Sequence, residues 1–367
     1  MNNTAITERF VTQSAFSQAR NKIKPEAFIE MNRRSINDFY LRGDQKKWHG
    51  FRLIGIDGSE VFLPKTEATR QFFGEYTTNF MNGTVVLARV SKAYDVLNKI
   101  NIDAKLVKRE IGEHTLANEH LRYLSAGDLC LLDRGYPSFD LFRNILEKDV
   151  HFCSRLPISN WRVAQDLVAS GEKEIIAEIE PGYQIRKKYK EQNIPIEPIT
   201  CRFIYIDLPG GEKEVLITSL LDTAKYPHEL FKELYHLRWE VEESYKKDKH
   251  RLQLENFSGK TVLAILQDFH ANILMGNLTA ILSSQLEKEI REKTNRSIKY
   301  KYQVNFTTAL AKVKEMLPKF FSGKNIWELL EKLIRMFVCN LVPVRPNRSF
   351  KRHMARRKRY AKCYLGL

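Results

Sequence analysis

Four polar side chains of different chemistry lie along residues 235–249, a stretch that the sequence predicts to be helical. In chain order they are Tyr235, Arg238, Glu242 and Lys249. At about 100° per residue, these positions fall within roughly 60° of one another on a helix. An adjoining apolar stripe can pack on a core; its members are Leu234, Leu237, Val241 and Tyr245. The pattern predicts a phenol, a guanidinium, a carboxylate and an ammonium group held along the edge of a buried face.

Taken alone, this spacing is also typical of a solvated helix face. In that interpretation, pairs such as Glu242 and Lys246 add only a few tenths of a kcal/mol. Helical spacing alone does not distinguish between the two interpretations, so the other motifs of the sequence are needed.

Two aspartates, Asp57 and Asp133, share one placement: each follows an apolar strand-like run and shortly precedes a glycine. A carboxylate at the carboxyl end of a central strand emerges at the sheet edge, where α/β proteins place ligand sites. Two such strands side by side bring the carboxylates close together, which is unfavourable unless a cation lies between them. A third carboxylate from a helix, Glu242, completes an oxygen-only site suited to Mg²⁺ or Mn²⁺. The alternative for each aspartate by itself is an Asx turn or a helix cap.

The composition is that of a large basic globular protein. The chain has 367 residues, a formal net charge of +16, 43% hydrophobic residues and 11% aromatic residues. This charge favours a polyanionic partner, and we expect a nucleic acid. The final segment, residues 341–367, has nine Lys and Arg residues and no acid. It is predicted to neutralise phosphates, with a solvated terminus as the alternative.

Cysteine and histidine spacing gives no support for zinc or for a disulfide framework. The five cysteines lack a CxxC pattern, and the nine histidines show no HExxH spacing. The sequence has no recognisable signal peptide and no apolar run of about 20 residues, the length that a membrane helix needs. We therefore expect a cytoplasmic protein with no membrane partner.

The order of predicted elements indicates an α/β core interrupted by an inserted β-rich subdomain. Residues 51–59 are predicted to form a strand, with 60–64 as its hairpin partner. Short strands are expected at 174–179, 199–208 and 214–219. The expected division is a helical N-terminal region (1–50), a first core part (51–158), the β-rich insertion (159–222), a helical second core part with Glu242 (223–340), and a basic tail (341–367).

The three blocks Asp57-Gly-Ser, Asp133-Arg-Gly-Tyr and Tyr235-x2-Arg238-x3-Glu242-x6-Lys249 resemble the catalytic blocks of DDE transposases. The similar group is the one named insertion-sequence-four, which includes the Tn-five and Tn-ten enzymes. The blocks occur in that group's order, and the resemblance covers about residues 50–275.

This resemblance implies an RNase H-like fold, a five-stranded mixed sheet flanked by helices. It places Asp57 on the first strand, Asp133 on the fourth and Glu242 on the helix after the insertion. It also implies that Tyr235, Arg238 and Lys249 contact DNA near the cleaved end. The adjacent Trp239 fits the same DNA-binding set.

The implied activity is metal-dependent cleavage and strand transfer of double-stranded DNA at the inverted-repeat ends of an insertion sequence, and target DNA is the second substrate. Two Mg²⁺ or Mn²⁺ ions, about 3.5–4 Å apart, are expected to be held by Asp57, Asp133 and Glu242. A homodimer on DNA is expected. No covalent protein–DNA intermediate is needed, so the mechanism requires no Ser or Tyr nucleophile.

Two departures from the group bear on these expectations. The region before Asp57 is short, which predicts a reduced or missing N-terminal DNA-binding part. The insertion offers only Trp161 as a weak candidate for stacking a flipped base, so pathways with and without a hairpin intermediate both stay open. The alternatives are an inactive DNA-binding remnant or regulator of transposition, and a nuclease that cuts DNA without joining it.

Overall fold

The computed structural model describes residues 12–77, 83–207, 213–250, 254–294, 300–322 and 325–344 of the chain. The predicted basic tail therefore lies outside the described residues from position 345 onward. Within the described part, no helix has both the length and the apolar character needed to cross a membrane.

The described strands, in chain order, are β1 (Arg52–Leu63), β2 (Tyr76–Thr77), β3 (Thr84–Asp95), β4 (Ile100–Lys108), β5 (Asp128–Leu132), β6 (His151–Leu156), β7 (Glu174–Ile179), β8 (Ile199–Asp207), β9 (Lys213–Thr218), β10 (Lys301–Val304) and β11 (Leu341–Val344). The described helices are α1 (Gln13–Arg20), α2 (Pro25–Leu41), α3 (Glu67–Phe73), α4 (Glu113–His120), α5 (Phe139–Leu146), α6 (Arg162–Ser170), α7 (Tyr183–Glu191), α8 (Glu229–His236), α9 (Trp239–His250), α10 (Val262–Gln285), α11 (Glu287–Thr294), α12 (Phe306–Phe320) and α13 (Ile326–Val338).

Nine of the described strands form one mixed sheet with β1 near its centre. β1 pairs antiparallel with β3 and parallel with β5. β4 extends the sheet antiparallel beyond β3, and β6 extends it parallel beyond β5. The strand order across this part is therefore β4-β3-β1-β5-β6, and β9, β8 and β7 continue it in antiparallel pairs. The mixed α/β class expected from the sequence is confirmed.

The sheet separates two hydrophobic cores because successive side chains of a strand point to opposite faces. Ile54 and Ile56 of β1 enter one core, which also contains residues of α4 and α5. Leu53 of β1 lies in the other core, together with Val241 of α9. A third core, formed mainly by α10, α12 and α13, lies towards the end of the described chain.

The N-terminal helices begin at local sequence signals. The side chain of Thr12 accepts a hydrogen bond from the backbone N–H of Ala15 at the start of α1, as expected of a helix cap. α2 begins with Pro25, whose missing N–H costs nothing at that position.

Two local expectations were wrong. Residues 60–64 do not fold back as a hairpin partner: β1 continues to Leu63, and its partner over this length is β3. The stretch 235–249 is not one helix, since α8 ends at His236 and α9 begins at Trp239. The region 223–340 is mainly helical, with β10 between α11 and α12.

The region 159–222 has the three strands that the sequence predicts, β7, β8 and β9, and two helices that were not predicted, α6 and α7. Its strands are continuous with the central sheet, because β9 pairs with β6 over Cys153–Leu156. The predicted domain boundaries stay a prediction.

Candidate active site

Asp57 and Asp133 are brought together by the parallel pairing of β1 with β5. In this register Ile56 lies opposite Leu132, and each aspartate is the next residue along its strand. Asp133 follows β5 directly, as predicted. Asp57 lies within β1 rather than at its end, at the point where β1 stops pairing with β5 and continues beside β3 alone. The sheet thus opens at Asp57, which gives its carboxylate the edge position that the sequence predicted.

Glu242 approaches this edge on α9. The hydroxyl of Tyr245, three residues further along α9, donates a hydrogen bond of 2.6 Å to the backbone carbonyl of Asp57. The fully buried Lys92 of β3 forms an ion pair with Asp248 of the same helix. Both contacts fix α9 against β1 and β3, so Glu242 is carried by a rigid support.

Arg238 lies between two of the three carboxylates. Its Nη2 atom donates a hydrogen bond of 2.9 Å to Oε1 of Glu242 and lies 3.9 Å from Oδ1 of Asp133. The hydroxyl of Tyr235 donates to the same Asp133 oxygen over 3.3 Å. The break between α8 and α9 explains this convergence, because the backbone turns through Leu237 and Arg238 with the N–H of Arg238 bonded to the carbonyl of Tyr235.

Burial raises the pKa of Asp57 from its ordinary value of 3.8 to about 6. The hydrogen bond from the Gly58 N–H and the charge of Arg238 act in the opposite direction, whereas the charges of Asp133 and Glu242 raise the pKa further. The three carboxylates are therefore close enough to affect one another. A single guanidinium offsets only part of their mutual repulsion.

The remaining predicted residues divide into one that contacts the site and one that faces outward. Lys249 donates hydrogen bonds of 2.8 Å to Oγ of Ser59 and 2.7 Å to the carbonyl of Glu60, just beyond Asp57 on β1. Trp239 is 44% exposed, and its ring centroid lies 5.6 Å from the Arg238 guanidinium carbon. Trp161, the weak candidate for base stacking, is partly buried against the core.

Sequence reasoning missed the side chains that α4 brings to the same edge. His114 is within 3.0 Å of the Gly135 carbonyl and 3.4 Å of Oγ of Ser138, and so contacts the loop that follows Asp133. Glu113 lies against Gly58. No sequence motif marks either residue.

The donor set fits a hard divalent cation, since Asp57, Asp133 and Glu242 offer carboxylate oxygens and no nitrogen or sulfur. As placed, no three His, Cys, Asp or Glu side chains in the described ranges form a group that could hold a metal ion. Arg238 lies 2.9 Å from Glu242 and 3.9 Å from Asp133, and so occupies the space between these two carboxylates.

Comparison with known proteins identifies the family of this chain. A family model described as "Transposase DDE domain" matches residues 49–278, which is more than half of the chain. This chain belongs to the DDE transposase family. It is therefore an enzyme that acts on DNA, and the family generally uses divalent metal ions.

One relative of this transposase is the transposase InsG for insertion sequence element IS4, from Escherichia coli strain K12. The two chains are 22% identical over 347 residues, which cover 94% of this chain and 76% of the relative. Among solved structures, a cryo-EM structure of the piggyBac transposase synaptic complex with hairpin DNA is similar over 78% of this chain and 57% of its own. That match has 11% identity and a TM-score of 0.41, too low to show a shared fold.

Proposed function

We propose that this transposase cleaves DNA at the inverted-repeat ends of an insertion sequence and transfers the cut strands to target DNA, with Asp57, Asp133 and Glu242 as its catalytic carboxylates. The convergence of these residues from β1, β5 and α9 supports the proposal above all. The Arg238 guanidinium, 2.9 Å from Glu242 and 3.9 Å from Asp133, neutralises part of their charge.

The carboxylates are proposed to hold Mg²⁺ or Mn²⁺, with two ions expected. Bound divalent cations would supply an activated water or DNA 3′-hydroxyl and stabilise the leaving oxygen. The protein provides the rigid support for this chemistry. Two of the three carboxylates are attached to paired strands, and the third lies on a helix bonded to the backbone of Asp57.

The cationic and aromatic neighbours are proposed to bind DNA. Arg238 presents a planar fork that suits a phosphate, and Lys249 presents a point charge beside β1. The hydroxyl of Tyr235 orients Asp133 by a hydrogen bond. It is proposed to contact the DNA strand that lies at the three carboxylates. Trp239 faces outward and is suited to pack on a sugar or base beside the cleaved end.

The strand order β4-β3-β1-β5-β6, two antiparallel pairs followed by two parallel pairs, supports an RNase H-like core. Residues 159–222 are then an insertion between the second aspartate and Glu242, and it extends the sheet through β9. We further propose that the enzyme acts as a homodimer on DNA.

The test compares Asp57→Ala, Asp133→Ala and Glu242→Ala with a matched control, Glu243→Ala. Glu243 lies next to Glu242 on α9, but its carboxylate is 50% exposed and pairs with Lys246. With DNA that carries the flanking inverted repeats, each of the three variants should lose Mg²⁺-dependent cleavage and keep DNA binding. Glu243→Ala should keep both cleavage and DNA binding. Near-normal cleavage by any of the three would remove that residue from the proposed set.

The products of the unaltered enzyme separate the alternatives. Joined products support transposition. Cut but unjoined DNA indicates a nuclease, and DNA that is bound but never cut indicates an inactive regulator.

A further inference from the structure

A fourth carboxylate, that of Glu113, lies next to the proposed catalytic set. Glu113 is the first residue of α4. A Cβ atom placed on Gly58 would lie 2.9 Å from Oε1 of Glu113 and 3.3 Å from its Cδ. Gly58 directly follows Asp57. The carboxylate of Glu113 therefore lies against the strand backbone through the space that the missing side chain leaves.

Glu113 approaches β1 from the face opposite to α9. Gly55 lies against Val241 of α9, and because side chains alternate along a strand, Asp57 points to that same face. Gly58 points to the other face, which α4 covers. Two helices thus bring Glu242 and Glu113 to the same edge of the sheet from its two sides.

The hydroxyl of Tyr136 is a second, independent sign that something binds here. Tyr136 is 2% exposed, and its hydroxyl has no hydrogen-bond partner among the residues that the structure describes. A buried hydroxyl without a partner is costly and rare in folded proteins. Burial raises the pKa of Tyr136 above its usual range, and the charges of Asp57, Glu113 and Asp133 raise it further, with Arg89 opposing them. The charges of Asp57 and Glu113 therefore both act on the phenol.

The loop after Asp133 is bound to α4, which keeps this arrangement in place. His114 contacts the carbonyl of Gly135, and its ring centroid lies 6.0 Å from that of Tyr136. At its other end, α4 is held by His120, which is fully buried and contacts Ser91 of β3 at 2.9 Å and Asp103 of β4 at 2.8 Å. The helix α4 is thus held in place at both of its ends, and this fixes the position of Glu113 at its start.

We propose that Glu113 is a fourth metal-binding carboxylate of this transposase, and that Tyr136 positions it by donating its hydroxyl hydrogen to a water that Glu113 and Asp57 share. The inference rests on the proposed function, because it takes Asp57 to hold a divalent cation. It adds an acidic residue from α4 to the three that the family motifs mark. Gly58 becomes a functional requirement, since any side chain there would displace Glu113.

Binding of Mn²⁺ to the intact, DNA-free enzyme, measured by calorimetry and by electron paramagnetic resonance, tests this without relying on activity. Glu113→Gln should weaken Mn²⁺ binding by about tenfold or more, since losing even a residue that only supports a metal ligand typically costs about 10- to 100-fold in affinity. The matched control is Glu119→Gln on the same helix, where the carboxylate pairs with Lys105 and is 47% exposed. That control should bind Mn²⁺ like the unaltered enzyme.

Tyr136→Phe should weaken binding in the same direction and add little when combined with Glu113→Gln, since the two act on one water. Unaltered Mn²⁺ affinity in Glu113→Gln overturns the inference. If Glu113→Gln fails to fold, Glu113→Asp keeps the charge but withdraws the carboxylate, and unaltered affinity in that variant overturns the inference equally.

Asp57→Asn separates this inference from the proposed function. If Asp57→Asn binds Mn²⁺ more weakly and Glu113→Gln binds it normally, the three-carboxylate site is supported and only the proposed role of Glu113 is wrong. Normal binding by Asp57→Asn removes the proposed metal site itself.

Discussion

The guanidinium of Arg238 donates a 2.9 Å hydrogen bond to the carboxylate of Glu242. The Arg238 side chain is 4% exposed and that of Glu242 is 29% exposed, so this pair is largely shielded from water. The Nε atom of Arg238 is buried and has no partner within the described ranges. Without a metal, Arg238 serves as the counter-charge of the acidic residues. In the proposed function, cations take over this role and the same guanidinium binds a DNA phosphate.

Arg238→Met should destabilise the metal-free enzyme by about 2–3 kcal/mol, because it leaves partly buried carboxylates without their counter-charge. Mg²⁺ should narrow this difference by supplying the missing positive charge. Melting temperatures in EDTA and in Mg²⁺ measure both effects. If Arg238→Met and the unaltered enzyme melt at the same temperature in EDTA, the ion pair contributes nothing to stability.

Arg238→Lys separates charge from geometry. It should recover most of the stability but little of the cleavage, because an ammonium group cannot make the two-pronged phosphate contact of a guanidinium. Full recovery of single-turnover cleavage would show that charge alone suffices.

The raised pKa of Asp57, about 6 against an ordinary 3.8, gives a pH dependence with a definite sign. The folded state binds this proton more tightly than the unfolded state, so ionised Asp57 costs stability. This loss of stability is absent below about pH 4. It grows as the pH rises from the unfolded-state pKa to the folded-state pKa, and it is complete above about pH 6. Asp57→Asn should therefore raise the melting temperature of the metal-free enzyme at pH 7.5, and the gain should disappear by about pH 4.

The same proton competes with the metal. Below pH 6, Mn²⁺ affinity should fall by up to about tenfold per pH unit. The control is Asp166→Asn, whose carboxylate is 73% exposed. It should change neither the melting curve nor the metal affinity, and a similar gain in stability from this variant would show that the effect is not specific to Asp57.

Much of this site was predictable from the sequence because its residues are attached to regular elements. Asp57 and Asp133 follow apolar strand runs, and the pairing of Ile56 with Leu132 brings them together. The tight turn at Arg238 was not predictable, since helical spacing continues through it unchanged. Glu113 was missed because its position depends on a long-range contact with Gly58, 55 residues earlier, and no local pattern encodes such a contact.

The basic tail predicts an electrostatic contribution to DNA binding. Residues 345–367 contain nine Lys and Arg residues and no acid. Each phosphate contact contributes about −0.9 to the slope of log K against log salt, so removing this segment should flatten the slope by up to about 8. Binding measured from 50 to 300 mM salt tests this. An unchanged slope would show that these charges make no contact with DNA.

Gly55 is predicted to be the position at which β1 is most sensitive to added volume. A Cβ atom there would lie 2.1 Å from Cγ2 of Val241, a fully buried residue of α9. Gly55→Ala should therefore push α9 away from β1 and displace Glu242, the neighbour of Val241. Overpacking of this kind typically costs about 1–3 kcal/mol. We expect a lower melting temperature and a larger proportional loss of cleavage than of DNA binding.

The rescue variant makes this prediction specific. Val241→Ala removes the methyl group that the new Cβ would meet, so the double variant Gly55→Ala/Val241→Ala should be more stable than Gly55→Ala alone and should regain cleavage. Gly182→Ala is the control, because a Cβ there would meet no atom within 4 Å and the residue has an ordinary φ of −66°. A double variant no better than Gly55→Ala would mean that contact with Val241 is not what requires glycine at this position. Recovery of stability without recovery of cleavage would show that α9 repacks but that Glu242 does not return to the carboxylate set.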